Sequence, residues 1–217
     1  PPPPPPPLPS PPPPPPPPPE TTLFPSTTLF RSADPAGVLG LSELGHRFAA
    51  GLLHHADALA ALCAPTVNSY RRLAASRSAS GTTWSPVWKA IGDNNRTCLV
   101  RTVAGRLEWR LPDPACNVYA AIAGTLAAGL DGIDRALPPV TPTADDLYER
   151  HAAGADLPAR LPRDLQAALD ALEADAGLRE AVGADFCAQF LQVKQDEWAA
   201  YAREVSAWEW QRYADAP

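Results

Sequence analysis

Arg106, Glu108 and Arg110 stand at i, i+2 and i+4 of the stretch GRLEWRLPD, with Leu107, Trp109 and Leu111 at the alternate positions. Successive side chains of an extended strand point to opposite faces, so the three charged groups share one face and the three apolar groups the other. Two readings of the charged face stand. One is a solvent-facing strand with internal ion pairs. The other is a strand lining a cleft that handles phosphate and a divalent cation, because guanidinium forks match phosphate oxygens and a carboxylate is a hard-metal ligand. His54 and His55 are adjacent, about 100° apart on a helix, and so are read as solvated or packed residues rather than as ligands of one metal. Cys63, Cys98, Cys116 and Cys187 lie far apart, with no CxxC pair and no His at ligand spacing. That pattern argues against a disulfide framework and a zinc site, and for a reducing, cytoplasmic setting.

The elements that must position the charged strand follow from periodicity. NRTCLVR and GRLEWRLPD alternate on either side of the short Thr102–Gly105 connection, which is a hairpin signal spanning about 95–112. Upstream, residues 40–62 carry Leu41, Leu44, Phe48, Leu52, Leu53 and Leu59 at helical spacing, with Ser42 as N-cap and Glu43 in the first turn. After Pro65, the Ser-, Gly- and Thr-rich stretch from Ala74 to Gly92 reads as a long loop, of the length that often serves as a lid or binding loop, with Trp84, Pro86 and Trp88 to pack it. Residues 117–134 are small and apolar and predict a closely packed helix. Helices over 163–181 and 183–213 complete the chain. The aromatic stripe of the last one (Phe186, Phe190, Leu191, Trp198, Tyr201, Val205, Trp208) reads as core or subunit interface.

The chain has 217 residues, 29 of them Pro, and a formal net charge of −6. Seventeen prolines lie in residues 1–19, one is Pro25, and eleven are spread over residues 33–217. The negative balance disfavours nucleic-acid and membrane-surface binding, and no apolar run approaches the roughly 20 residues needed to span a bilayer. A tract broken only by Leu8 and Ser10 allows nothing but polyproline II, either a ligand for SH3 or WW modules or a segment without a role. Residues 22–32, TTLFPSTTLFRS less its first threonine, resemble the translation of a sequencing-library adapter, departing from it only at Ser26. Residues 1–32 are therefore expected to be artefactual and are set aside from fold reasoning. With no Met in the sequence, the chain is expected to be a fragment of a longer gene product, its folded part being residues 33–217.

PTVNSYRRL, then NNRTCLVR, then GRLEWRLPDPACNVYAAIAGTLAAGLDGID, in this order and spacing, resemble the C-terminal half of the glutamine synthetase catalytic domain. The family versions read approximately NP-x-x-NSYKRL, NRS-x-x-x-R, R-x-E-x-R-x-PD-x-x-x-NPY and AGLDGI. The likeness covers residues 37–213. Its TTWSP loop, EWRLPD strand and QVKQDEWAAYAREVSAWEWQRY tail resemble the type III branch, close to the γ-glutamylmethylamide synthetases. The resemblance implies an α+β fold, with a curved antiparallel sheet packed with helices and a helical C-terminus.

It also implies an ATP-dependent glutamate–ammonia ligase that forms glutamine through γ-glutamyl phosphate, in the service of nitrogen assimilation. The cofactors would be ATP and Mg²⁺ or Mn²⁺, the substrates glutamate and ammonia or a small amine, and the assembly a cytoplasmic homo-oligomer. By motif position, Arg72 would hold the glutamate α-carboxylate and Arg96 and Arg101 the ATP phosphates. Glu108 would ligate a metal, and Arg110 would face the transferring phosphoryl group and the substrate. Arg106 acquires no role.

Many family members carry a glutamate just after the SYKRL motif, whereas here no Asp or Glu occurs between Arg72 and Asp93. A neutral, Trp-bearing loop suits a methylated amine, which makes a γ-glutamylmethylamide synthetase the alternative. A non-catalytic homologue and a Pro-rich interaction protein are the other classes. Tyr148 sits roughly where some members carry an adenylylated tyrosine, but the residues after it do not match. Family members also have an N-terminal domain and further upstream metal-binding glutamates that this sequence lacks, so the fragment alone is expected to be inactive.

Overall fold

The computed structural model describes residues 33–74, 85–103 and 106–214. The polyproline and adapter-like segment and residues 75–84 of the expected loop, Trp84 among them, lie outside these. Ser42 caps the first helix, α1 (Glu43–His54), its hydroxyl accepting from the Gly45 amide at 3.2 Å, and Glu43 pairs with Arg47 one turn on. The predicted 40–62 helix is broken at His55, whose φ/ψ of −91°/8° ends the α-helical path; α2 (Ala56–Cys63) resumes in a new direction. A four-residue helix, α3 (Ser69–Arg72), follows on a reciprocal turn in which Thr66 and Ser69 hydroxyls meet at 2.8 Å and each accepts the other's amide.

The sheet has three strands in the order β1 (Trp88–Asp93), β2 (Cys98–Val103), β3 (Arg106–Trp109). β2 and β3 form the expected antiparallel hairpin, with Val100 opposite Trp109 and Arg101 opposite Glu108. β1 departs from expectation twice. Its residues Trp88–Gly92 belong to a buried strand rather than to a loop, and they pair parallel to β2, which makes the sheet mixed. The Gly and polar content upstream hid a strand buried on both faces, in which Trp88, Ala90 and Ile91 are all buried. Lys89 ties β1 to α2 through Asp57 at 2.7 Å.

α4 (Val118–Asp134) is capped by Asn117, whose side chain accepts from Tyr119 and Ala120 amides. It packs on α1 at backbone distance: a Cβ on Gly132 would stand 2.3 Å from the Arg47 carbonyl oxygen, and one on Gly129 would overlap the Phe48 ring. Behind them lie α5 (Leu147–Ala152), α6 (Leu165–Ala174), α7 (Ala176–Val182), α8 (Ala184–Arg203) and α9 (Ala207–Tyr213). The predicted 163–181 helix breaks where Asp175 caps α7 by accepting from Leu178 at 3.0 Å. The predicted 183–213 helix breaks at Ser206, which forms a capping box with Glu209.

One core runs through α1, α2, α4, α6 and the inner face of the hairpin, with Leu52, Leu59, Leu62, Leu99, Leu111, Leu165, Leu169 and Leu172 sealed from solvent. A smaller cluster of Val87, Trp88, Ala90, Cys98 and Leu147 fixes α5 on β1. The aromatic stripe divides: Phe190 and Trp198 pack on the core, whereas Tyr201, Val205 and Trp208 are exposed. Among the described residues, no helix is long and apolar enough to cross a membrane.

Candidate active site

Strand geometry assigns the two faces of β3 as the alternation predicted. Leu107, Trp109 and Leu111 pack into the core, and Glu108 and Arg110 lie on the other face. Because Arg101 stands directly across from Glu108 in the antiparallel register, its guanidinium reaches the carboxylate at 3.1 Å, while Arg110 reaches the second carboxylate oxygen at 3.2 Å. Both arginine side chains are largely buried, 13 % exposed, whereas Glu108 is 44 % exposed. The carboxylate is thus the open member of the triad.

Arg72 enters from α3. Its Nη2 donates to the Leu111 carbonyl at 2.6 Å, which sets the guanidinium beside the C-terminal end of β3. Burial pulls the Arg72 pKa down, and the nearby Asp113 carboxylate opposes that pull. Burial also lowers Arg110; Glu108 raises it again, and the positive charges of Arg101 and Arg72 push it lower. The guanidinium groups of Arg72, Arg101 and Arg110 therefore crowd one region against their mutual repulsion. Among the described residues, the buried Nε atoms of Arg72 and Arg101 have no hydrogen-bond partner. Desolvated donors without acceptors are costly, and an anion would satisfy them.

Arg96 is supplied by the turn between β1 and β2. Asn94 adopts φ 45°, in the left-handed region that Asn tolerates, and the Asn95 side chain accepts from Thr97 at 2.9 Å. Asn95 also donates to the Asp145 carbonyl at 2.8 Å, so the turn is anchored to the segment before α5. Arg110 donates to the Arg96 and Cys98 carbonyls, which places Arg96 beside the cluster, its side chain exposed. Arg106, at the open end of β3, is exposed.

Three residues beside the cluster, Asp113, Tyr148 and Ser85, drew no active-site role from the sequence. Asp113 is buried next to Arg72, and its carboxylate accepts from the Ala115 amide at 2.8 Å. Tyr148 donates to the Ser85 carbonyl at 2.6 Å, and Ser85 in turn donates to the carbonyl of Arg72. Burial raises the Tyr148 phenol to about 12, with Arg110 and Arg160 opposing it. Asp113 was visible in the RLPDP motif; the Ser85–Tyr148 bond spans 63 residues and leaves no local signal. Cys63 and Cys98 are buried thiols raised to about 12, which keeps them protonated and unreactive.

Residues 26–213 match the family model described as glutamine synthetase, catalytic domain. The chain is 47 % identical over 189 residues to a glutamate–methylamine ligase of Methyloversatilis universalis, covering 86 % of this chain and 42 % of that protein. It is 45 % identical over 178 residues to a glutamine synthetase of Rhizobium leguminosarum bv. phaseoli, covering 82 % and 41 %. A GmaS complex with ADP superimposes with a TM-score of 0.76 at 44 % identity, over 83 % of this chain and 41 % of that one. Ligand-free GmaS gives a TM-score of 0.73 at 42 % identity, over 83 % and 40 %. The α+β fold and these matches define a glutamine synthetase-type catalytic domain. The chain belongs to the glutamine synthetase family, near the GmaS branch. It spans about two fifths of the length of the curated relatives it matches.

Proposed function

We propose that this chain is part of an ATP-dependent glutamate–amine ligase, with Arg72, Arg96, Arg101, Glu108 and Arg110 in its active site. The observation that carries this reading is the pairing of two largely buried guanidinium groups, Arg101 and Arg110, with one partly open carboxylate, the charge of Arg72 close by, and buried Nε atoms on Arg72 and Arg101 that lack acceptors. ATP and glutamate are both anions, and joining them requires fixed positive charge that does not give up a proton. Arginine meets that need. Arg72 would hold the glutamate α-carboxylate, Arg96 and Arg101 the phosphates, and Arg110 the transferring group.

For a divalent cation the fit is partial. Glu108 offers one exposed hard ligand, and no group of three His, Cys, Asp or Glu residues able to hold a metal occurs among the described residues. A bound Mg²⁺ or Mn²⁺ would draw its other ligands from phosphate oxygens, water and protein oxygens beyond these residues, and would neutralise phosphate charge. Within this chain, Arg101 and Arg110 hold the Glu108 carboxylate in place from either side.

Ammonia and methylamine remain the two candidate nitrogen donors. The methylamine reading is favoured by the 47 % identity to a glutamate–methylamine ligase and by the lack of any acidic residue between Arg72 and Asp93. Residues 33–214, joined to the remaining length of a complete ligase, are expected to release ADP with glutamate and methylamine at a higher kcat/KM than with ammonia. Equal or reversed preference would return the chain to the glutamine synthetases proper. Residues 33–217 alone are expected to give no turnover above background.

A further inference from the structure

α3 is a single turn of helix, too short to hold its own position. The carbonyls that end a helix lack intrahelical donors. Here side chains from far along the chain reach two of them. The Ser85 hydroxyl donates to the Arg72 carbonyl, and Arg160 Nη2 donates to the Leu73 carbonyl at 3.5 Å. Ser85 is itself buried, and its own carbonyl accepts from the Tyr148 hydroxyl at 2.6 Å.

Tyr148 is a fixed point. Asp146 caps α5 by accepting from the Tyr148 amide at 2.8 Å, and the neighbouring Leu147 is sealed from solvent with its amide on Thr97 Oγ1 at 3.2 Å. The phenol ring stands edge-on to Trp88 at 4.9 Å. The strand that carries Trp88 is locked to residues 159–161, Lys89 donating to Ala159 and Leu161 to Val87. Burial raises the phenol, so it stays protonated and donates. Two hydrogen bonds thus connect a rigid ring to the backbone of Arg72. At the far end of that side chain, Nη2 is on the Leu111 carbonyl at 2.6 Å and the buried Nε has no partner. A rotamer-rich arginine held at its backbone and at one guanidinium nitrogen meets an anion from one direction, and sub-ångström placement of such a group decides binding.

We propose that Tyr148 is a positioning residue for substrate: through Ser85 it fixes the backbone of Arg72, and with it the guanidinium that takes the glutamate α-carboxylate. The proposal deepens the ligase reading and rests on its assignment of Arg72. Tyr148 acts on substrate binding alone, because Arg101, Glu108 and Arg110 are set by the register of the hairpin.

The test joins residues 33–214 to the remaining length of the Methyloversatilis ligase and follows ADP release. Tyr148→Phe is expected to raise the KM for glutamate about ten-fold, with kcat and the KM for ATP within three-fold of the parent. Ser85→Ala removes the second bond of the same path and should give a similar rise, and the two changes together no more than either alone. A Tyr148→Phe enzyme with the parental KM for glutamate overturns the proposal. So does one whose kcat and ATP KM change as much as its glutamate KM, or a double variant in which the two effects multiply. A second measurement, on the 217-residue chain, needs no activity. In Tyr148→Phe the amides of residues 66–73 should exchange with deuterium at least ten-fold faster, and by a larger factor than those of α6. A rise no larger than that of α6 overturns the proposal. A parent enzyme that releases no ADP with either amine would count against the ligase reading, and the exchange rates would then decide the tie between Tyr148 and Arg72.

Discussion

Arg101 and Glu108 face each other across the hairpin, one residue from each strand, and their side chains meet at 3.1 Å while Arg110 holds the other carboxylate oxygen. Directly opposed residues bring their Cβ atoms to about 5 Å, so the backbone register itself sets the geometry of the charged groups. At 44 % exposure the carboxylate contributes little to stability as an ion pair. Glu108→Gln in a complete ligase should therefore leave the melting temperature within a few degrees of the parent, while lowering kcat by about 100-fold or more. ADP release and circular dichroism on one preparation decide it. An active Glu108→Gln enzyme would sink the metal-ligand assignment.

Arg72 is held from two sides: its guanidinium by the Leu111 carbonyl and its own carbonyl by Ser85, which Tyr148 grips in turn. Removing the phenol hydroxyl leaves the Ser85 carbonyl without its donor but keeps the edge-on contact of the ring with Trp88 at 4.9 Å. Tyr148→Phe should cost about 1 kcal/mol, and Tyr148→Ala about 3 kcal/mol or more because it also empties ring volume. Urea unfolding of the chain measures both. Equal losses for the two variants would mean that only the hydroxyl matters.

The charged face of the hairpin was legible because strand alternation is local: Arg106, Glu108 and Arg110 declare their shared face in five residues. Arg72, Arg96 and Arg101 could be placed only through family motifs, since they arrive from α3, the β1–β2 turn and the opposing strand. β1 was missed because its neighbour in space is a parallel partner and its own sequence is short and flanked by polar residues. The helix breaks at His55 and Asp175 were missed for a related reason. The apolar period continues through both, and the partners that fix the breaks lie far along the chain.

Gly132 and Gly51 allow α1 and α4 to touch backbone to backbone, since a Cβ at Gly132 would lie 2.6 Å from the Gly51 nitrogen. Neither neighbour is a flexible side-chain tip, so the helices themselves must separate. Gly132→Ala should destabilise the chain by about 1–3 kcal/mol despite the better helix propensity of alanine. Gly177→Ala is the control, because its Cβ would meet nothing nearer than 3.9 Å and sits in a helix. It should be neutral or slightly stabilising in the same unfolding assay. A Gly132→Ala chain as stable as the parent would show that the close approach is not a constraint.

His55 joins three parts of the chain. It sits buried at the α1–α2 break, with Nδ1 2.5 Å from Asp175 and Nε2 3.0 Å from Asp131. With a carboxylate on each nitrogen, both nitrogens donate and the ring is an imidazolium. Burial lowers its pKa, but the bonds and charges of Asp175 and Asp131 outweigh it and the net shift is upward. Both carboxylates are shifted down, burial being outweighed by their bonds to His55 and, for Asp131, to Arg135. The raised histidine gives stability that is complete below its ordinary value of about 6.5 and is lost as pH rises through the raised one. The depressed carboxylates give stability that is complete above about 3.9 and is lost as pH falls. Exposed His54 works in the opposite sense: burial first, then His55, lowers its pKa, so its contribution is lost as pH falls. Urea midpoints measured from pH 4 to 9 in a His54→Gln background isolate the pair. That chain should be most stable between about pH 4 and 6.5 and weaken above it. Adding His55→Gln should lower stability by about 2–4 kcal/mol near pH 5.5 and flatten the alkaline limb. An unchanged slope above pH 6.5 would show that His55 carries no charge in the folded chain.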